Sequence, residues 1–203
     1  MRAHGPDDDL SALLFAAAAG NFVAPTLRPE NDRQVLQDAG AATATGVIDA
    51  RVDAKGKISA CKAVAMSGDA EVANRLCRHA DGLEIKPACV AGEAAYGVVH
   101  PVIGGTQSGG AASEPADLEL HVNKLPGGQP RLRVATNVIV GAAGKPQACL
   151  AVGDMPQASA DVACTQVAGL TFGTINFDSG KPVRYVRSVI IDFELATAAP
   201  TGG

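Results

Sequence analysis

The sequence predicts an α+β protein of two tandem small domains, each a three-stranded antiparallel sheet with one or two helices on one face in the order β-β-α-β. The first observation behind this is a repeat. Gly56-Lys57 with Cys61, and Gly144-Lys145 with Cys149, stand 88 positions apart, Cys77 and Cys164 stand 87 apart, and Gly92 and Gly180 return to 88. The second is that rare Cys and turn Gly coincide in the same order and spacing, which chance does not readily produce. The third is a stretch too poor in apolar side chains to order itself, Gly104-Gly105-Thr106-Gln107-Ser108-Gly109-Gly110-Ala111-Ala112-Ser113-Glu114-Pro115, between the two copies. The expected organisation is therefore an N-terminal helix plus first domain over 1–103, a linker over 104–116, and a second domain with a frayed tail over 117–203.

The elements follow from local patterning. Leu10 to Ala19, interrupted by Ser11, is an apolar run with Asp9 as N-cap and Gly20 as stop, so it reads as a helix. A signal-peptide reading is disfavoured because Asp7, Asp8 and Asp9 stand where such a peptide needs positive charge. Ile48, Ala50 and Val52 alternate with Asp49 and Arg51, the signature of a half-buried strand, and Val138 and Val140 occupy the matching positions in the second copy. Ala54-Lys55-Gly56 and Ala142-Ala143-Gly144 make turns with glycine available for positive φ, so Ile58 to Ala65 and Pro146 to Val152 should fold back as hairpin partners. Ser67-Gly68-Asp69 then breaks the strand and caps a helix bearing Val72, Leu76 and Cys77. In the second copy Ser159 and Asp161 precede a shorter helix with Val162, Cys164 and Val167. Each copy closes on an extended segment entered through a glycine turn, from Gly92 to Ile103 and from Gly180 to about Leu195.

Composition removes several functions. With 47% hydrophobic and 19% charged residues the chain can bury a core. Its net charge of −4, with Lys and Arg scattered singly, offers no basic face to nucleic acid or an anionic membrane. Aromatic residues make up 3% and Trp is absent, which leaves little to stack on bases or sugars. No apolar run approaches the roughly 18–20 residues that span a bilayer as a helix.

Gly46-Val47, the Gly56-Lys57 hairpin, Ser67-Gly68-Asp69, the Cys77 helix, Lys86-Pro87-Ala88 and the Gly92 strand together resemble the C-terminal domain of the TonB energy-transducer family, in its cysteine-pair subset. The second copy is similar at Gly144-Lys145, Cys149, Cys164, Phe172, Gly180-Lys181-Pro182-Val183 and Val189-Ile190-Ile191-Asp192-Phe193. The matches cover about residues 45–103 and 131–195. The resemblance implies a periplasmic protein whose two-helix, three-stranded domain pairs an exposed sheet edge with an extended peptide of an outer-membrane transporter. No N-terminal membrane anchor, long Pro-Lys or Pro-Glu spacer, or Tyr-Pro pair ahead of the first strand is read, which argues against energy transduction itself.

In each copy one cysteine lies on the second strand and one on the helix that should cover it, so Cys61–Cys77 and Cys149–Cys164 read as disulfides suited to an oxidising compartment. The alternative is buried thiols acting as small hydrophobes. Cys89 has no counterpart in the second copy and is left as a free thiol, an intermolecular link or a competitor for one of the pairs. There is no CxxC motif, and the four His residues stand at no ligand spacing from a Cys, so thiol exchange and metal binding are not expected. His79 beside Arg78 reads as a helix-end cation. His100 and His121 lack a local Ser, Cys or carboxylate partner for a triad. The acidic run Asp7 to Asp9 lacks the alternation of a calcium loop.

The function expected is therefore a non-enzymatic, exported binding or adaptor protein without cofactor, working by strand addition along the third strands. Tyr96, Val98 and His100 mark that edge in the first domain, and Arg184, Tyr185 and Arg187 in the second. The alternative is a structural, self-associating scaffold whose edges are closed by the sister domain or by a homodimer mate.

Overall fold

The structure is a computed structural model that describes residues 21–27, 45–67, 77–78, 85–100, 102–104, 115–177 and 180–196. The expected helix over Leu10 to Ala19, the Asp7 to Asp9 run, His79, Gly68-Asp69, most of the linker and the tail lie outside those residues. Among the described residues the chain is mixed α+β and mostly sheet. The strands are β1 (Phe22–Val23), β2 (Thr26–Leu27), β3 (Thr45–Val52), β4 (Ile58–Ser67), β5 (Ile85–Lys86), β6 (Ala88–Val90), β7 (Glu93–Ala95), β8 (Gly97–Val99), β9 (Val102–Gly104), β10 (Leu118–Val122), β11 (Arg131–Val140), β12 (Pro146–Val152) and β13 (Tyr185–Leu195). The helix α1 (Gln157–Ala168) lies between β12 and β13, and Cys77 and Arg78 also carry helical backbone.

The two hairpins are built alike. Ile48, Ala50 and Val52 of β3 are fully buried, as are Val138 and Val140 of β11, which is what their alternation demands of a strand with one face in a core. In the first turn the Asp53 N–H donates to Lys57 O (2.9 Å), and in the second the Gly141 N–H donates to Lys145 O (2.8 Å). Ala50 pairs with Cys61 and Val138 with Cys149, and beside each turn the second strand carries one extra residue, Ser59 in one hairpin and Gln147 in the other. Gly56 (φ 83) and Gly144 (φ 77) occupy the same turn position, and a Cβ there would meet Ile85 O at 2.3 Å and Phe172 O at 2.2 Å respectively. Both turns thus need glycine for its positive φ and for the close approach of the chain that follows the helix.

Eight strands form one sheet in the order β12-β11-β13-β8-β3-β4, with β10 beside β13 and β9 beside β3. Within each half the second strand is outermost and the first lies between it and the third. The halves meet where β13 and β8 run parallel, pairing Val186 with Gly97 and Arg187 with Val98. Gly97 is required there, because a Cβ would lie 2.3 Å from Pro25 Cγ and 2.9 Å from Val186 O. One core lies under α1, where Ala163 and Val167 pack with Val134, Val138, Val189, Ile191 and Phe193. On the opposite face Phe22, Ala24 and Ala88 cover Ile139, Ala148 and Val186.

Two expectations need correction. The segment from Gly92 to Ile103 is three short strands and not one: Ala91 (φ 53) and Gly92 (φ 88) turn the chain so tightly that β7 pairs back on β6. Ser159 and Asp161 lie inside α1 and not before it, since Pro156 occupies the N-cap with its constrained φ of −58. Val162 is 45% exposed because Ala163, four residues before Val167, takes the buried stripe.

Candidate protein-binding edges

The third strands carry the residues expected to make contact, and the structure gathers them at the seam between the halves. Val98 and Tyr185 are each 2% exposed. The Tyr185 hydroxyl donates to Gly173 O (2.8 Å), and burial pushes its phenol above the ordinary range. Tyr96 stacks on Phe177 with ring centroids 4.2 Å apart. The Arg187 guanidinium lies 4.6 Å over the Phe172 ring and pairs with Asp117 at 3.1 Å. His100 is half-buried, whereas Arg184 is exposed.

The outer edge of β13 is consequently occupied along most of its length. The Val186 N–H donates to Tyr96 O (2.9 Å), and Arg187 Nε donates to Ser188 O (3.2 Å). At Ile190 the N–H donates to Asp117 Oδ2 (2.8 Å), while its carbonyl accepts the Asp117 N–H (2.8 Å). From Ile191 to Leu195 the strand pairs in parallel with β10. An incoming peptide would have to displace these partners, so β13 does not present the open edge that strand addition needs, and β8 lies between β13 and β3.

Among the described residues, the strands with no partner on their outer side are instead those at the sheet's ends, β4 and β12. The β12 sequence Pro-Gln-Ala-Cys-Leu-Ala-Val contains no charged residue, although edge strands are ordinarily guarded by charge or by shortness. Leu150 and Val152 are 42% and 45% exposed. Along the opposite face of β12 runs a groove of about 480 Å³ between the strand and α1, lined by Cys149, Ala151, Met155, Ala160, Cys164 and Ala168 among others. A strand added to β12 would set alternate side chains into this groove and the others beside Leu150 and Val152. The neutral run was legible in the sequence. Its position at the end of the sheet was not.

Two disulfides brace the scaffold. Cys61–Cys77 and Cys149–Cys164 have Cα–Cα distances of 5.4 and 5.5 Å, and Cys89 is a free, half-buried thiol. The second disulfide ties β12 to α1 and forms part of the groove wall. Beyond the groove, fully buried Asp192 accepts from Arg133 Nε and Nη2 (2.8 Å each) and from Arg131. The Arg133 hydrogen bonds, with Arg131 adding to them against the opposing effect of burial, hold its carboxyl below the usual range.

Among the described residues no group of three or more His, Cys, Asp or Glu side chains is placed to hold a metal ion. No described helix is long and apolar enough to cross a membrane. His121 is exposed on β10, opposite Glu194 of β13. No family model, curated protein or solved structure matches the chain.

Proposed function

We propose that this chain is an exported, non-enzymatic binding or adaptor protein, built from two tandem TonB C-terminal-like domains, that captures an extended protein segment by strand addition at β12. The observation that carries the reading is the uncharged β12 edge, flanked by exposed Leu150 and Val152 and by the groove beneath α1. Main-chain groups of such an edge supply affinity, and the alternating pockets select the side chains. The repeated hairpins and the matching strand order of the two halves support the family reading, and the two disulfides agree with an oxidising compartment. The partner class that the family resemblance suggests is an extended segment of an outer-membrane transport protein.

A second reading is favoured by one observation, the closure of β13 by β8, β10 and Asp117. In that reading the third strands serve only to brace the halves, and the neutral β12 edge meets β12 of another copy in a scaffold.

Fluorescence anisotropy with a labelled extended peptide from an outer-membrane transporter distinguishes the two. Strand addition predicts saturable binding that is weakened about tenfold or more by Leu150→Lys with Val152→Lys, since lysine guards an edge against pairing. Binding indifferent to those changes would place the contact elsewhere. Light scattering that shows a dimer dissociated by the same two lysines would favour the scaffold.

A further inference from the structure

The groove between β12 and α1 is not uniformly apolar. Its floor is made by half-buried Cys149 and Ala151 of β12 and by half-buried Ala160 and Cys164 of α1. Its rim is the exposed row Gln157, Asp161 and Thr165, spaced four apart and so on one stripe of the helix. The core stripe of α1, Ala163 and Val167, is buried on the sheet, whereas this second stripe overhangs the sheet's edge. A strand added to β12 would therefore run beneath it, with every second side chain turned toward the floor and rim.

The rim carries one charge, and that charge is held in place. Gln157 Nε2 donates to Asp161 Oδ1 (2.8 Å), and Thr165 Oγ1 donates to Asp161 O (2.8 Å). The Gln157 amide thus orients the carboxylate through one of its oxygens. No basic side chain is among the described residues that line the groove. An apolar floor beneath a carboxylate complements one kind of side chain, a long aliphatic stem that ends in a cation, because the stem stays on apolar surface while the charge reaches the rim. A wholly apolar side chain leaves the carboxylate without a counter-charge, and an acidic one is repelled.

We propose that the segment captured at β12 carries a lysine or arginine at a groove-facing position, with its stem over Ala151 and Ala160 and its cation on Asp161. The inference rests on strand addition at β12 and adds the side chain that this edge selects.

The test is fluorescence anisotropy of the full chain with labelled seven-residue peptides of the form Thr-X-Thr-X-Thr-X-Thr. Two of the X residues are valine, and the third, placed at each X in turn, is lysine, norleucine or glutamate. Norleucine keeps a linear aliphatic stem and removes the charge. The expected result is one X position at which lysine binds at least about fivefold tighter than norleucine, the factor that the strongest exposed ion pairs provide, and glutamate binds more weakly than either. Asp161→Asn, which can still accept the Gln157 hydrogen bond, should bring lysine and norleucine to within about twofold of each other there. N-methylation of one alternate set of peptide amides should abolish binding whatever the side chains, and this control reports on strand addition alone. Binding that N-methylation abolishes, but in which lysine has no advantage over norleucine or keeps it in Asp161→Asn, would overturn the basic-residue proposal and leave strand addition standing. Binding of none of the peptides, or binding indifferent to N-methylation of either set, would overturn strand addition at β12 and this proposal with it.

Discussion

Asp117 grips Ile190 at both of its main-chain groups, its own N–H reaching the isoleucine carbonyl and its carboxylate receiving the isoleucine N–H, each at 2.8 Å. One residue ahead of β10 thus closes the outer edge of β13 where β8 has ended and β10 has not begun. The same carboxylate pairs with Arg187, which is itself stacked on Phe172. Asp117→Ala should therefore lower stability by about 1–3 kcal/mol, the range for losing hydrogen bonds to a charged group. Asp117→Asn, which can still accept the Ile190 N–H, should lose less. Denaturant midpoints of the two variants check the order, and equal losses would mean that the ion pair alone matters.

Acid should weaken the fold through Asp192. Its folded pKa is depressed, so its stabilising contribution is complete above the unfolded carboxylate value of about 3.9 and is lost as pH falls through the lower folded value. Asp192→Asn should be less stable near neutrality by about 2 kcal/mol, and its stability should vary less with pH below about 4 than that of the unaltered protein. Urea unfolding at a series of pH values from neutral downward measures both slopes. Parallel slopes would contradict the assignment.

Glycines of the same φ sign should respond unequally to alanine. Gly92 has φ 88, and a Cβ added there would meet nothing within 4 Å, so Gly92→Ala should cost only the left-handed penalty of about 1–2 kcal/mol. Gly144→Ala adds a collision with Phe172 O and strains the hydrogen bond that Phe172 N–H donates to Gly144 O (2.8 Å). It should cost about 3 kcal/mol or more, as should its counterpart Gly56→Ala. Thermal or denaturant melts of the three variants give the comparison.

The thiols provide a count. In denaturant without reductant a single thiol, Cys89, should react, and after reduction all five cysteines should. Replacing Cys149 and Cys164 together by serine should lower stability by about 3 kcal/mol, the chain-entropy value for a loop of this length. It should also loosen α1 from β12, seen as faster amide exchange around Ala163 and Val167. Five reactive thiols before reduction would remove the argument for an oxidising compartment.

Where the physics is local, the sequence reading is close. Pro146–Val152 has the bounds expected from its turn and alternation, and the pairing of Cys149 with Cys164 follows from a strand and helix joined by a short connection. What escapes it is non-local. Nothing near Val186 signals that its partner is Gly97, 89 positions earlier, and Asp117 reads only as the first residue of the second domain until Ile190 is set beside it. Phe22 and Ala24 are buried because Asn137 holds their segment, a contact across more than a hundred residues. Either half taken alone points to its third strand as the binding edge, because without the other half that strand would be outermost.

Backbone amide exchange over β12 and β13 in the free protein tests the sealed seam and the open outer strand together. The expected result is slow exchange at Val186 and Ile190, comparable to Val189 and Ile191, with alternate amides of Gln147–Val152 exchanging fast. Fast exchange at Val186 and Ile190, with β12 uniformly protected, would contradict it.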